Sequence, residues 1–164
     1  MYFSTLSTDN NPQNPAKMIR VIFTTIVFMI VSLSANAQLE VKQSPHSPEE
    51  TMAILKEIII QKGLTLFSEV DHAEQAQQVG MELHSVGILS FGDPKVGTIL
   101  MQADPHVAIE LPLKIMVFER NGRTMMGYTD PETYSEKYNL EGQEEVLKKM
   151  HNLLEEMVET VVNN

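Results

Sequence analysis

The chain has 164 residues, enough for one domain, and its 43% apolar and 21% charged residues are typical of a folded protein. It contains no cysteine, which excludes disulfides, a thiolate nucleophile and any cysteine-bound metal, haem or cluster. The first 37 residues hold two of the 12 basic and one of the 22 acidic residues, so the remainder carries a formal charge of −11, which opposes binding to nucleic acid and to anionic membranes.

The N-terminal part has the three regions of a signal peptide, which we place at residues 18–37. Lys17 and Arg20 supply the positive charge, and an uncharged, mostly apolar run follows at residues 21–33. Ala35-Asn36-Ala37 has the small side chains of a cleavage site. Because a bilayer span needs about 20 apolar residues, this run favours a cleaved signal over an uncleaved anchor.

Cleavage after Ala37 would leave Gln38 as the first residue of the mature protein. Residues 1–17 are polar and lack apolar periodicity, so we interpret them as a leader or as the product of an upstream start codon. We therefore expect an exported protein, periplasmic or secreted, with one domain at residues 38–164 and no membrane span after cleavage.

The first half of this domain predicts strands alternating with helices. A short strand at residues 39–43 precedes Ser47-Pro48-Glu49-Glu50, which is a capping box with proline at the first helical position. That helix ends at Gly63. A strand at 64–70, a helix from the cap Asp71 to Gly80, and a strand at 82–91 follow. The expected buried side of the second helix is Ala73, Ala76 and Val79.

The second half predicts a short helix, a hairpin and a long helix. Asp93 is placed to cap a helix that runs through Met101. Strands at 114–119 and 123–128 flank Asn121-Gly122, a strong signal for a two-residue turn. Apolar residues recur every three or four positions over 143–162, as in an amphipathic helix that packs on a sheet. The fold class is therefore α+β: a single layer of mainly antiparallel sheet in βαββββα-like order, with helices packed on one face.

The stretch from 70 to 128 resembles the domain-of-unknown-function 302 family. The residues that carry the resemblance are Val70-Asp71-His72-Ala73, Phe91-Gly92-Asp93-Pro94-Lys95, Gly97-Thr98, Leu100-Met101, Pro105, Ala108 to Lys114 and Gly122 to Tyr128. Asp93 and Glu110 stand where that family often has Asn and Asp. The resemblance covers residues 41–138 and implies a compact βαββββα-type domain, often self-associating, with no known reaction and no catalytic residues to transfer.

The residues expected to form a ligand site lie in turns beside predicted strand ends, where function is often found. They are Asp71, His72, Phe91, Asp93, Pro94, Thr98, Met101 and His106. Asp71 and His72 have two interpretations: an acid–base or ligand pair, or a helix cap followed by a first-turn residue. The glycines near Asp93 are typical of an anion-binding helix start or, alternatively, of tight turns.

We predict no metal site and no cofactor, because the pairs formed by His72, His84 and His106 lack helical or strand ligand spacing. No serine has a Gly-x-Ser-x-Gly context. The sequence favours a non-enzymatic module that binds an unidentified small molecule or forms a homodimer. The alternatives are an enzyme of unrecognised type that uses His72 and Asp71 as acid–base groups, and a folding-support protein of the envelope.

Overall fold

The computed structural model describes residues 39–164; the predicted leader, signal peptide and cleavage site lie outside the described residues. Its strands are β1 (Leu39–Gln43), β2 (Thr65–Asp71), β3 (Val86–Gly92), β4 (Leu113–Arg120) and β5 (Arg123–Thr129). The α-helices are α1 (Pro48–Gln61), α2 (His72–Gln78), α3 (Pro94–Ala103) and α4 (Glu144–Val162), and two 3-10 helices span Pro105–Ile109 and Pro131–Glu136.

The five strands form one antiparallel sheet in the order β1-β5-β4-β3-β2. Strands β2 to β5 follow one another as a meander, and β1 adds to the free side of β5. Helix α1 therefore runs from one edge of the sheet to the other, and it packs on β2, β3, β4 and α4. The predicted α+β class, with an antiparallel layer and helices on one face, is confirmed.

The start of α1 follows from its capping box. Ser47 Oγ accepts the N–H of Glu50 at 3.2 Å, and Glu50 Oε2 accepts the N–H of Ser47 at 3.2 Å. Two N–H groups that have no partner within the helix are satisfied in this way. After the helix, Gly63 has φ +67°, a conformation that glycine adopts without steric cost. Both predicted limits of this helix are confirmed.

The turn between β4 and β5 is also the one that the sequence predicts. Asn121 and Gly122 have φ values of 54° and 70°, as the two central residues of a type I′ turn require. This turn sets the register in which Phe118 pairs with Met125 and Arg120 with Arg123.

One face of the sheet, here called the helix face, packs against α1 and α4. Directly paired residues share a face and neighbours along a strand alternate, so the register assigns each side chain to one side. The helix-face residues Leu89, Ile115 and Met126 are completely buried. They join one apolar core with α1 and α4 residues such as Leu55 and Leu154.

The opposite side, here called the open face, is apolar but only partly covered. One row across all five strands consists of Val41, Gly127, Met116, Ile88 and Val70. The apolar positions of this face are Leu39, Val41, Val70, Val86, Ile88, Met116, Phe118 and Met125, each half-buried or exposed. The open face is thus a hydrophobic surface next to the core rather than part of it.

Two local predictions were wrong. Helix α2 buries none of its residues, and Val79, expected on its buried side, is 72% exposed. The strand expected at 82–91 begins only at Val86, where pairing with Phe118 starts; Met81, earlier in that loop, is 66% exposed. In both cases the sequence carries an apolar pattern, but nothing within residues 39–164 buries these side chains.

Candidate functional site

A pocket of about 490 Å³ lies between α3, the start of β4 and α4, and is here called the α3 pocket. Its volume lies within the range of roughly 300–1,000 Å³ usual for small-molecule sites. The residues that line it are Leu64, Phe67, Gly92, Asp93, Pro94, Val96, Gly97, Thr98, Met101, Ala108, Leu111, Pro112, Leu113, Lys149, Met150 and Leu153. Most of this lining is apolar.

Helix α3 forms one wall of the pocket, and side chains of the helix and its cap stabilise its first turn. Asp93 Oδ1 accepts the N–H of Lys95 at 2.8 Å, and the Thr98 hydroxyl donates to the carbonyl of Pro94 at 2.7 Å. The buried Leu100 fixes the other side of the helix in the core. The pocket wall is therefore a regular, capped helix rather than a loose loop.

Gly97 leaves space in the middle of this wall. A Cβ atom there would lie 3.7 Å from Leu111 Cδ1 and 4.0 Å from Met101 Cε, which are ordinary contact distances. A larger side chain at this position would extend between those two residues into the pocket. The glycine thus contributes to the volume of the cavity.

The opposite wall begins at Leu111 and Pro112, which are joined by a cis peptide bond. Lys114 Nζ donates to the carbonyls of Glu110 at 3.1 Å and Pro112 at 2.9 Å. The Tyr138 hydroxyl donates to Glu110 Oε1 at 2.9 Å. Burial lowers the pKa of Lys114 below its usual value. These bonds hold the segment that faces α3.

The edge strand β2 adds a large aromatic side chain to the pocket. The pairing of β2 with β3 shifts register between Leu66 and Ser68, so Phe67 is the extra residue of a β-bulge. A bulge redirects a side chain relative to the regular pleat. Phe67 lines the pocket, although half of its surface remains exposed.

The structure brings together four of the eight predicted site residues. Asp93, Pro94, Thr98 and Met101 all line the α3 pocket. Phe91 does not, because it is completely buried on the helix face, where it pairs with Leu113.

Asp71 and His72 lie apart from this pocket, at the other end of β2. Asp71 follows the pocket residue Phe67 by four positions of β2, which is about 13 Å at roughly 3.3 Å per residue. Asp71 Oδ1 accepts the N–H of Glu74 at 2.9 Å and so caps α2. Asp71 lines two smaller, polar depressions of about 220 and 380 Å³. The pair is therefore too distant to act on a molecule held in the α3 pocket.

His106 also points elsewhere. Its side chain is 85% exposed, and Nδ1 lies 2.8 Å from Asp104 Oδ1. Asp104 accepts further N–H groups from Asn139 at 3.0 Å and from His106 itself at 3.0 Å. These hydrogen bonds lower the pKa of the Asp104 carboxyl, and the bond from Asn139 has the largest effect. Asp104 thus connects the loop after α3 to the loop before α4.

One group of residues within 39–164 has the geometry to hold a metal ion. Ligand atoms of Asp130, Glu132 and His151 all lie within 4.8 Å of one another. Asp130 Oδ1 already accepts the N–H of Glu132 at 2.9 Å and lies 2.9 Å from His151 Nδ1. A hydrogen bond between side chains and a cap account for this arrangement without a ligand.

The sequence did not identify the pocket residues that come from distant elements. Leu64 and Phe67 precede α3 by almost thirty positions, and Lys149, Met150 and Leu153 follow it by about fifty. The only signal of the apolar residues among them was an apolar pattern, which is equally typical of core residues, and Lys149 resembled any surface lysine. Nothing in the sequence indicated that these elements meet.

Comparison with known proteins identifies a family model and a solved structure that are similar to this chain. The model of a family described as "Domain of unknown function DUF302" matches residues 40–157. The crystal structure of an uncharacterized conserved protein DUF302 from Bacillus stearothermophilus superposes with a TM-score of 0.69 at 20% sequence identity. The match covers 76% of this chain and 98% of that one.

The chain is also similar to parts of longer proteins. Over 99 residues the chain is 28% identical to the fluoride-specific ion channels FluC 1 of Brucella suis and FluC 2 of Brucella melitensis. The match covers 60% of this chain but only 39% and 37% of those proteins. Within residues 39–164, we find no helix with both the length and the apolar character needed to cross a bilayer.

Proposed function

The chain belongs to the family Domain of unknown function DUF302, and because that membership carries no activity, we propose from the site itself that the protein is a non-enzymatic module that binds a small apolar or amphipathic molecule in the α3 pocket. The observation that carries the proposal is the convergence of an apolar cavity of about 490 Å³ with four residues that the sequence had singled out.

The composition of the pocket supports binding rather than catalysis. Its polar side chains are Asp93, Thr98 and Lys149. Asp93 and Thr98 make hydrogen bonds within α3. Methionine and leucine side chains from three elements form the walls, and such side chains adapt to varied apolar ligands.

The test uses Gly97 as a way to fill the pocket. We expect a neutral fluorescent probe, N-phenyl-1-naphthylamine, to bind the wild type and to lose at least about ten-fold in affinity in Gly97→Leu, because the added carbons occupy its space. Gly97→Ala is the matched control, since its Cβ makes only ordinary contacts. Equal binding by all three proteins, with folding verified by circular dichroism, would contradict the proposal.

A second proposal, self-association, rests on the charge pattern of the sheet. All four carboxylates in the strands (Glu40, Glu69, Asp71 and Glu119) have helix-face positions in the register. The open face carries none, although the chain is strongly acidic. The charged residues of this face are Lys114, Arg120 and Arg123, so a contact between two open faces would bring no strand carboxylates together. It would bury the apolar row around Met116.

Sedimentation velocity tests this proposal. We expect the wild type to dimerise and Met116→Glu to remain monomeric, because a carboxylate would enter the centre of the contact. Ile109→Glu is the matched control: Ile109 is 77% exposed and lies outside the sheet. A monomeric wild type at high micromolar concentration would contradict the self-association proposal and would not affect the ligand-binding proposal.

We also propose that the module functions outside the cytoplasm. The support is the three-part pattern at residues 18–37. N-terminal sequencing of protein expressed from the full gene should begin at Gln38. Recovery of an intact N-terminus in the cytoplasmic fraction would show that this proposal is wrong.

A further inference from the structure

We infer that the molecule held in the α3 pocket is an anionic amphiphile, an alkyl chain with a carboxylate or phosphate headgroup that pairs with Lys149. This inference rests on the proposed function and specifies its ligand class. It depends on how the few polar groups of the pocket are already used.

Two of those polar groups have partners within α3. The Asp93 carboxylate caps the helix through the N–H of Lys95, and the Thr98 hydroxyl donates to the carbonyl of Pro94. Neither side chain has a hydrogen left to donate to a ligand. A headgroup that accepts hydrogen bonds must therefore find its donor elsewhere in the pocket.

Lys149 differs because its ammonium group has no acidic partner. Among residues 39–164, lysine–carboxylate pairs form at Lys42, Lys56, Lys62 and Lys137. Lys149 belongs to none of these pairs, and it lies on the exposed side of α4 at the pocket. Long lysine side chains lay their methylene groups along apolar surface and keep the ammonium in water.

The apolar walls and the single ammonium group of Lys149 together favour a ligand with two parts. An alkyl chain matches the methionine and leucine walls, and a single negative headgroup matches the unpaired ammonium at the rim. Asp93 also lines the pocket and repels additional negative charge. A ligand with one chain and one headgroup therefore fits this distribution better than a polyphosphate such as a nucleotide.

The experiment compares decanoate, decyl phosphate and decanol as competitors of the naphthylamine probe. In Lys149→Gln we expect the affinity for both anions to fall about two- to five-fold at low ionic strength, the usual range for an exposed ion pair. Decanol should bind unchanged. Added salt at 1 M should remove the difference, because the Debye length is then about 3 Å.

Two further variants control for charge and for folding. Lys148→Gln removes the same charge from the neighbouring position, which does not line the pocket, and should leave all affinities unchanged. Asp93→Asn keeps a capping oxygen and should strengthen anion binding. If decanol and the anions respond alike to Lys149→Gln, the inference is wrong while the pocket remains a binding site. If no competitor displaces the probe, the inference is wrong while the pocket remains a binding site. If Gly97→Leu binds the probe as tightly as the wild type does, the proposed function is wrong as well.

Discussion

The two faces of the sheet are formed by the same strands, but they differ in which charged residues they carry and in how deeply their side chains are buried. The helix face contains the fully buried side chains Leu89, Ile115 and Met126, together with all four strand carboxylates. The open face contains no carboxylate and no fully buried large apolar side chain. Apolar residues therefore line both sides of this sheet, and only one of them is a core.

The comparison also explains where the helix-face charges lie. Glu69 at the edge of the sheet pairs with Lys56 of α1 at 3.0 Å, and Lys42 of β1 pairs with Glu159 of α4. These ion pairs surround the core and connect the outer strands to the helices. At its strand positions the open face carries only the cations Lys114, Arg120 and Arg123, and no carboxylate.

The test with the largest expected effect replaces two adjacent residues on opposite faces by alanine, one at a time. Ile115→Ala should lower the free energy of unfolding by about 2–5 kcal/mol, because a buried site leaves a cavity. Met116→Ala, on the open face, should cost about 1 kcal/mol because part of its surface is already exposed. Urea denaturation followed by circular dichroism measures both.

The same two variants also show whether a second molecule covers the open face in solution. A loss at Met116 as large as that at Ile115, increasing with protein concentration, would show that a second molecule buries this face. Equal losses without concentration dependence would instead contradict the division into a core face and an open face.

The next test concerns the acidic groups near the helix face. Burial first, and then the negative charges of Glu40 and Glu155, raise the pKa of Tyr128 to about 12. Since tyrosine has a pKa of about 10 in an unfolded chain, the folded state holds this proton more tightly. The resulting stability is present below pH 10 and is lost as the pH rises from 10 towards 12.

Tyr128→Phe should therefore reduce the loss of stability between pH 9 and pH 11.5, by an amount on the order of 1 kcal/mol because solvent screens part of the interaction. Denaturation curves at both pH values measure the difference. Burial also raises the pKa of Tyr134, so some alkaline dependence should remain in the variant. An unchanged slope would show that the Tyr128 hydroxyl is not sequestered by the helix face.

The features that the sequence predicted are those that depend on residues within a few positions of one another. The capping box of Ser47 and Glu50 and the turn at Asn121-Gly122 each act over at most three residues. Asp93, Pro94, Thr98 and Met101 came together in the pocket because one short helix carries them. Local signals of this kind determine a conformation before tertiary contacts form.

The features that could not be predicted depend on which elements become neighbours. Val79 follows an amphipathic pattern, yet it is exposed because nothing in the described part of the chain packs against it. Phe67 enters the pocket only because a bulge displaces it from the regular pleat. Lys149 resembles any surface lysine until α4 is placed beside α3. Long-range contacts decide these positions, and an amphipathic pattern alone does not encode them.

The smallest test uses a glycine on each face. A Cβ at Gly127, on the open face, would lie 3.5 Å from Met116 Cε and 3.6 Å from Leu39 Cδ1. A Cβ at Gly87, on the helix face, would lie 3.1 Å from Met52 Cε, so that side chain must move. Because alanine restricts the unfolded chain, Gly127→Ala should stabilise by up to about 1 kcal/mol, and Gly87→Ala should be about 1 kcal/mol less stable than Gly127→Ala.

A double-mutant cycle identifies the cause of that difference. In a Met52→Ala background the obstructing methyl group is absent, so Gly87→Ala should become as favourable as Gly127→Ala. Thermal denaturation of the single and double variants provides the comparison. If the penalty at Gly87 persists without Met52, the close packing of α1 on the helix face is not its origin. The two faces would then differ less in packing than in charge.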